Sequence, residues 1–327
     1  MKSLSFIIPV YNGEKYISRC LKSVFSQDYP YLEIIIIDDG SSDNSVEIIK
    51  KSILLYNKKN YNTIIISQKN AGVSQARNKG INVSTSDYIA FLDQDDYILP
   101  NFCKKFMSEV KSIPYDMVIG GFIRKNKNNK TTRIMKANNS DWSKFCLTYP
   151  WARIIRRAFL ISNNILFKNT TIGEDIYFDL ISYSHTKNIK MIPDCLYVWN
   201  NNPQSVSNTK YTTINKSVNP IETFNLILND FNKPNTIPDD YIEYYFIKFI
   251  VWFLLTNARK STKQDIIKTR DKLFHWLEIN FPNYSCNKNL SLFLPKGDIV
   301  RNKLAVFIYM KLKHFKIDTL IFSILSK

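Results

Sequence analysis

The chain has 327 residues, of which 45% are hydrophobic and 22% are charged, which excludes a disordered or fibrous protein. This length predicts one large domain with an appendage. The formal net charge of +17 favours an anionic partner such as a phosphorylated substrate or an anionic membrane, with a general abundance of lysine as the alternative explanation.

Cysteines and apolar segments bear on where the protein works. The five cysteines are scattered and form no C-x-x-C pair, which favours a reducing compartment. The apolar stretch from Leu4 to Val10 contains Pro9 and lacks a small-residue cleavage site, so it predicts a first strand rather than a signal peptide. The apolar run from Phe249 to Leu255 is too short to span a membrane. We therefore expect a cytoplasmic location.

The amino-terminal third alternates short apolar runs with stretches whose apolar residues lie three and four positions apart. This alternation predicts strand–helix units on a mainly parallel sheet, with helices covering both faces. Ligands bind at the carboxyl ends of the strands in such sheets. The predicted strands are Leu4 to Val10, Leu32 to Ile37, Thr63 to Ser67 and Tyr88 to Leu92.

The rest of the chain has a mixed part and a helical part. From Ile98 to Asn202, helix-like and strand-like pieces should complete the sheet. Beyond Pro220 the sequence predicts helices in Tyr241 to Leu255, Ile266 to Phe281 and Ile299 to Leu325. Basic and aromatic residues occur together there, which suits a membrane interface, while a packing or dimerisation surface is the alternative.

Acidic residues follow two of the predicted strands. Asp93 and Asp95 are two positions apart, so a continuing strand would point both carboxylates to the same side, as oxygen ligands for Mg or Mn. Asp38 and Asp39 end the second strand, and four carboxylates at one edge would repel each other without a cation or hydrogen-bond donors. The sequence therefore predicts a divalent-cation site, although a lone D-x-D also occurs in turns and helix caps.

Four motifs follow one another in a fixed order along the first part of the chain. They are SFIIPVYN (Ser5 to Asn12), IDDGSSD (Ile37 to Asp43), NAGVSQARNKG (Asn70 to Gly80) and FLDQDD (Phe91 to Asp96). Together they resemble family 2 glycosyltransferases, which are inverting enzymes with the Rossmann-like fold called GT-A. The resemblance is close over residues 1–100 and weaker beyond them.

The resemblance implies a role for each matching polar residue at the strand ends. Asp39 would take the nucleotide base, and Asp93 would reach the ribose or the metal. Asp95 would bind the metal directly and bridge to the diphosphate, whose charge Arg77 would help to neutralise. The other implied donor-binding residues are Pro9, Tyr11, Asn12, Glu14, Asn70 and Gln94. For Tyr11 and Arg77, packing alone is the alternative.

A later pair of acids, Glu174 and Asp175, resembles the family's acidic pair in which the Asp is the general base. A carboxylate there can accept the proton of the acceptor hydroxyl as the anomeric carbon is attacked. The alternative is that the two acids only begin a helix, where they favour the dipole. Trp151 precedes this pair together with Arg153, Arg156 and Arg157, in a position that family members commonly use near the acceptor. The alternative is a packed tryptophan with solvated arginines.

We therefore predict an inverting glycosyltransferase that uses a nucleotide-sugar, UDP-hexose or UDP-N-acetylhexosamine. Its acceptor would be a hydroxyl of a glycan or of a polyprenyl-diphosphate-linked oligosaccharide, in bacterial capsule, exopolysaccharide or lipopolysaccharide synthesis. The alternatives are a nucleotide-sugar-binding protein without turnover and a nucleotidyltransferase. The presence of Asp95 and Asp175 argues against the first, and no G-x-G-x-x-G follows the first strand as a Rossmann oxidoreductase would require.

The predicted domains are a GT-A domain over residues 1–219 and a helical region over residues 220–327. The first would hold a nucleotide-sugar half in residues 1–100 and an acceptor half in residues 101–219. The helical region would attach peripherally to the inner face of the cell membrane or form a homodimer. No nucleic-acid partner is expected.

Overall fold

The computed structural model describes residues 1–202, 213–214, 218–231, 236–257 and 261–325. It separates into two compact units. The first unit comprises Met1–Asn139, Leu147–Asn169 and Glu174–Asn202. The second comprises Ser140–Cys146, Thr170–Gly173 and the described residues of Pro203–Lys327. The predicted domain boundary after residue 219 stays a prediction.

The first unit is built on one mixed, largely parallel sheet. Its described strands are β1 (Leu4–Val10), β2 (Leu32–Asp38), β3 (Asn62–Ser67), β4 (Tyr88–Phe91), β5 (Tyr97–Ile98), β6 (Met117–Lys125), β7 (Thr131–Met135), β8 (Arg153–Arg156) and β9 (Ile189–Asn200). They follow the order β3-β2-β1-β4-β8-β6-β9-β5, and β7 pairs with β6. Strands β3, β2, β1 and β4 are parallel neighbours, as are β6 and β9, while β8 runs antiparallel to both β4 and β6.

Helices of the first unit alternate with these strands, which confirms the predicted α/β class. They are α1 (Ile17–Phe25), α2 (Ser45–Tyr56), α3 (Val73–Val83), α4 (Phe102–Glu109), α5 (Arg157–Ser162) and α6 (Glu174–His185). Helix α3 lies close against β1 because residue 80 is glycine. A Cβ at Gly80 would come within 2.3 Å of the Ile7 side chain. This close approach brings Arg77, on the same helix, to the strand ends.

Burial follows the predicted pattern in the inner strands and departs from it at the edge. Every residue of β1 and β2 is buried, as their apolar sequences predict for strands covered on both faces. In β3 the isoleucines are only partly buried. The expectation of cover on both sides is therefore wrong for β3, because this strand is the last in the sheet order and has a single neighbour.

The second unit is helical in its described part. Its helices are α7 (Pro220–Asp230), α8 (Asp239–Asn257), α9 (Lys263–Asn280), α10 (Val300–His314) and α11 (Thr319–Leu325). The predicted run from Ile299 to Leu325 is interrupted, because Lys316 adopts a left-handed φ of 60° and ends α10. Trp142 is fully buried and its ring contacts those of Phe145 and Tyr244.

No helix among the described residues is both long enough and apolar enough to cross a membrane.

Candidate active site

The D-x-D residues lie in a turn that follows β4. This strand ends at Phe91, and the backbone N–H of Asp96 donates to the carbonyl of Asp93 at 3.0 Å. The condition for both carboxylates to point to the same side, a strand that continues through Asp93 and Asp95, is therefore not met, because the turn closes before the alternation of side chains can extend to them. The turn still stands at the carboxyl end of a parallel strand, next to β1.

Gln94, the middle residue of the D-x-D, is held by the backbone after β1. Its side-chain amide donates to the carbonyl of Tyr11 at 2.9 Å and accepts from the N–H of Tyr11 at 3.0 Å. Gly13 leaves room for this contact, since a Cβ there would come within 2.2 Å of Gln94 Oε1. Tyr11 is about half exposed, whereas Pro9 is buried within β1. Gln94 thus fixes the D-x-D turn against the first strand end.

The loop after β1 is also tied to the loop after β2. Asn12 has a left-handed φ of 47°, which asparagine tolerates better than most residues. Its Oδ1 accepts from the N–H of Ser42 at 2.9 Å, and its own N–H donates to Ser41 Oγ at 3.0 Å. Glu14 Oε2 accepts from the N–H of Asn44 at 3.2 Å. Both residues therefore shape the loops that border the strand ends.

Asp39 organises the loop that follows β3. Its carboxylate is buried and accepts from the side chain of Gln68 at 2.8 Å and from the N–H groups of Ala71 and Gly72 at 2.9 and 2.8 Å. These donors stabilise its charge without a cation. Asn70, within the same loop, is exposed.

Arg77 joins the D-x-D turn to the acid at the start of α6. Its guanidinium pairs with Asp93 Oδ1 at 2.9 Å and with Asp175 Oδ1 at 2.7 Å, and it lies 5.1 Å from the centre of the Phe167 ring. Only 4% of the Arg77 side chain is exposed, whereas 27% of each carboxylate side chain is. Three residues far apart in sequence are thereby brought together, with both carboxylates partly open to solvent.

Burial and the neighbouring opposite charge have opposing effects on the pKa values of Asp175 and Arg77. Burial raises the pKa of Asp175 well above its ordinary value, Arg77 lowers it, and the negative charges of Glu174 and Asp93 raise it further. The two carboxylates raise the pKa of Arg77, outweighing its burial, so the guanidinium stays charged. The arrangement places a carboxylate of raised basicity at the edge of the D-x-D turn.

Asp95 is held by residues that the sequence interpretation did not single out. Asn202 donates from its side chain to Asp95 Oδ2 at 3.0 Å, and Arg19 donates to the Asp95 carbonyl at 2.7 Å. Burial and the charge of Asp93 raise the pKa of Asp95. A carboxylate whose charge is opposed by a neighbouring carboxylate in this way is suited to a cation. Asn202 follows the end of β9, so the strand-end rule was a usable signal for it.

The carboxylate oxygens of Asp93 and Asp95 fit a divalent cation whose other ligands come from a diphosphate and water. No cluster of three or more His, Cys, Asp or Glu side chains that could hold a metal ion occurs in the described ranges. Within those ranges, Asp93 Oδ2 and Asp95 Oδ1 accept no hydrogen bond from another residue. One or two carboxylates, with water and substrate phosphates, suffice for Mg. Asp93 and Asp95 would supply these oxygens.

An aromatic stack lies behind the turn. Tyr197 donates from its hydroxyl to Asp96 Oδ2 at 2.6 Å, and its ring stacks on Trp151 at 4.5 Å. Trp151 stacks in turn on Tyr149 at 4.5 Å. Trp151 is buried, so in this structure it supports the turn through Tyr197. Its predicted place near the acceptor stays a prediction.

Arg153 forms a fully buried ion pair beneath α6. Its guanidinium pairs with Asp179 at 2.8 Å, donates to Tyr183 Oη at 2.9 Å and also donates to the carbonyl of Leu147. Burial raises the pKa of Asp179 to about 7, and Arg153 opposes that rise. The pair lies one helical turn after Asp175 and so anchors the start of α6.

Replacing Arg153 with methionine is expected to lower the free energy of unfolding by about 3–5 kcal/mol, because Asp179 is left as a buried acid without a counter-charge. Chemical denaturation of the purified protein measures this change. The double variant Arg153→Met/Asp179→Leu is the control, since replacing both members with apolar side chains restores most of the stability. Equal stability of the single variant and the unsubstituted protein would contradict this prediction.

Residues 5–172 match the model of the family described as Glycosyl transferase family 2. The chain belongs to this family. The predicted family and the predicted class, glycosyltransferase, are thereby confirmed. The matched residues include every strand-end motif described above, and they stop just before Asp175.

Relatives in family 2 extend the match. The uncharacterized glycosyltransferase YibD of Escherichia coli (strain K12) is 30% identical over 289 residues, covering 83% of this chain and 82% of YibD. The uncharacterized glycosyltransferase EpsJ of Bacillus subtilis (strain 168) is 29% identical over 224 residues, covering 64% of each protein. The chain therefore spans slightly less than two thirds of the length of EpsJ.

A solved structure has the same fold. Residues 1–349 of Staphylococcus aureus TarS, crystallised with UDP-GlcNAc, superpose with a TM-score of 0.70 at 20% sequence identity. The match covers 96% of this chain and 92% of that structure. The predicted GT-A fold is confirmed.

Proposed function

We propose that this chain is an inverting glycosyltransferase that moves a sugar from a UDP-sugar to a hydroxyl of a surface glycan. One observation carries the proposal: Arg77 holds Asp93 of the D-x-D turn and Asp175 at the two ends of one guanidinium. A donor-binding carboxylate and a candidate base are thus fixed at one edge of the sheet.

For the donor, we propose that Asp39 and Asn70 border the base, while Asp93 and Asp95 face the ribose and the diphosphate. The loops that carry Tyr11, Asn12 and Glu14 would close the nucleoside side. TarS, a structure of the same fold, was crystallised with UDP-GlcNAc, which supports UDP-hexose or UDP-N-acetylhexosamine as the donor. Gln94 would act by holding the turn rather than by binding the sugar, because its amide is engaged with Tyr11.

A divalent cation, Mn or Mg, held by Asp95 and Asp93 would neutralise the negative charge that develops on the departing diphosphate. Arg77 is nearly buried and both of its terminal nitrogens pair with carboxylates. We therefore assign Arg77 as a positioning residue that fixes Asp93 and Asp175, in place of the diphosphate contact expected from the family resemblance.

Asp175 would act as the general base. Its Oδ1 is engaged by Arg77, whereas its Oδ2 accepts no hydrogen bond from the described residues. Oδ2 is therefore the atom that would take the proton of the acceptor hydroxyl while the hydroxyl oxygen attacks the anomeric carbon. Attack on the face opposite the leaving diphosphate inverts the anomeric centre, so an α-linked donor gives a β-linked product.

The acceptor would be a glycan or a polyprenyl-diphosphate-linked oligosaccharide of capsule, exopolysaccharide or lipopolysaccharide synthesis. We propose that residues 101–219 form the acceptor half. A lipid-linked acceptor would place the enzyme at the inner face of the cell membrane. The net charge of +17 supports such a location, since anionic lipids attract a basic surface.

A donor-hydrolysis screen tests this function. The purified protein is incubated with UDP-glucose, UDP-N-acetylglucosamine, GDP-mannose and dTDP-glucose in Mn, and the released nucleotide diphosphate is measured. We expect release from a UDP-sugar, and we expect excess EDTA to abolish it and added Mn to restore it. Release that is equally fast in EDTA would contradict the metal assignment, and no release from any donor would contradict the function.

A further inference from the structure

Helix α10 of the second unit buries only one of its faces. Val306, Tyr309 and Met310 are buried, and the Tyr309 ring stacks on Phe274 of α9 at 6.1 Å. The Tyr309 hydroxyl also donates to Asp318 Oδ2 at 3.3 Å. These contacts fix the rotation of α10 about its axis and determine which side chains it presents to solvent.

The opposite face of α10 carries exposed apolar side chains. Val300, Leu304 and Ile308 are spaced four residues apart, so they form one stripe along the helix, and they are 74%, 45% and 46% exposed. Phe315, directly after the helix, continues the stripe by helical spacing and is exposed. The term "α10 surface" denotes these four residues with Arg301 and Lys311, which are exposed on the same side.

Exposed apolar side chains are concentrated around this surface. Of the twenty large hydrophobic residues that are exposed in the described ranges, nine lie between Leu292 and Leu320. Those outside the α10 surface are Leu292, Phe293, Leu294, Ile317 and Leu320. Scattered exposed hydrophobics need no explanation, but a concentration of this kind indicates a surface that binds something.

The exposed charges of the same segment have one sign. Lys296, Arg301, Lys311 and Lys316 are all exposed. The segment from residue 289 to the last residue contains two acids, Asp298 and Asp318. Both acids are buried and engaged: Asp298 pairs with Lys248 and accepts from Tyr244, and Asp318 pairs with Arg270. The side that faces solvent therefore combines apolar side chains with positive charge that no acid of this segment offsets.

We infer that the α10 surface is a docking site for an anionic lipid membrane. A helix whose apolar stripe is flanked by Lys and Arg lies in the membrane interface, with the apolar side chains among the acyl chains and the cations at the headgroups. Lys311 sits within the stripe and reaches the headgroup level by extending its long side chain. The use of this surface in presenting a lipid-linked acceptor rests on the proposed function, whereas the binding itself does not.

Charge decides between a membrane and a second copy of the chain. Two α10 surfaces facing each other would bring Arg301 and Lys311 of both copies together in an apolar contact, where like charges repel. Anionic headgroups complement the same cations, and each Lys or Arg near such a surface contributes roughly a five-fold increase in binding.

Vesicle co-sedimentation of the full chain tests the inference. The probes are vesicles of phosphatidylcholine alone and vesicles that also contain phosphatidylglycerol. We expect binding to the second kind at low salt and a strong reduction at high salt. The double variant Arg301→Gln/Lys311→Gln should bind about twenty-fold more weakly, and Ile308→Gln roughly five-fold more weakly.

Matched control variants lie in the first unit. Ile161 is exposed to the same 46% as Ile308, so Ile161→Gln tests whether any exposed isoleucine contributes, and Lys104→Gln does the same for an exposed lysine. We expect both controls to bind as the unsubstituted protein does. Circular dichroism melts of all variants should coincide, because every substituted side chain faces solvent.

Three results would overturn the inference. One is equal binding to both kinds of vesicle, and another is equal loss in the control variants. The third is a dimer in light scattering that Ile308→Gln dissociates, without any vesicle binding.

Release of UDP from the donor by the α10 variants is measured in parallel without vesicles. Vesicle binding without UDP release would refute the proposed function alone, and UDP release without vesicle binding would refute the docking surface alone.

Discussion

Replacing Asp175 with asparagine is expected to lower the kcat of sugar transfer by a factor of about 100 to 10,000, the usual contribution of a positioned general base. Asparagine keeps the size of the side chain and its contact with the Arg77 guanidinium, but its amide cannot take the proton of the acceptor hydroxyl. Binding of UDP, measured by calorimetry, should remain, because the substitution leaves the D-x-D turn intact. Transfer kinetics with the donor identified in the screen give the rate.

Glu174→Gln is the matched control for this experiment. Glu174 is the neighbouring acid in the first turn of α6 and forms no ion pair with Arg77 in this structure. We expect its substitution to leave kcat within a few-fold of the unsubstituted enzyme. If Glu174→Gln lost activity and Asp175→Asn retained it, the base would be assigned to the wrong member of the pair.

Replacing Asp95 with alanine should reduce transfer by about 100-fold or more, because a cation at the diphosphate contributes several kcal/mol to stabilising the transition-state charge. The loss should be accompanied by a higher Mn concentration at half-maximal rate. A Mn titration of UDP release measures both quantities, and a rate and Mn dependence equal to those of the unsubstituted enzyme would refute Asp95 as a ligand.

Two further variants are compared with Asp95→Ala. Asn202→Ala removes the hydrogen bond to Asp95 Oδ2, so it should weaken Mn binding about 10- to 100-fold while the carboxylate remains. Asp28→Ala removes an acid whose side chain is 95% exposed and that pairs with Lys59, so it should change nothing in the titration. Equal effects of Asp95→Ala and Asp28→Ala would indicate a general response to lost negative charge.

Local sequence carried much of the information for the sheet. Strand β1 occupies the predicted residues and β2 differs from prediction by one residue, because buried parallel strands read as uninterrupted apolar runs. Strand β3 also differs from prediction by one residue, although it is only partly buried. The turn at Asp93 was harder to predict, since it depends on a backbone hydrogen bond from Asp96. From the sequence alone, residues 93–96 are equally compatible with the end of a longer strand.

Contacts between distant residues account for what the sequence alone did not reveal. The pairing of Arg77 with Asp175 spans 98 positions, and Asn202 meets Asp95 across 107. Neither spacing has a signature in a single sequence, because these residues meet only in the folded chain. The Arg153–Asp179 pair was missed for a related reason. Nothing in the sequence around Arg153 indicates that its side chain is buried.

The shared guanidinium of Arg77 has a consequence for building chimeric enzymes. A crossover between residues 100 and 101 would keep Arg77 and Asp93 from one parent and take the carboxylate at position 175 from the other. Recombinants should therefore retain turnover only when α6 of the second parent begins with an acid whose carboxylate can pair with Arg77 on α3. Under the proposed function, swapping acceptor specificity between relatives is therefore constrained by the side chain of Arg77.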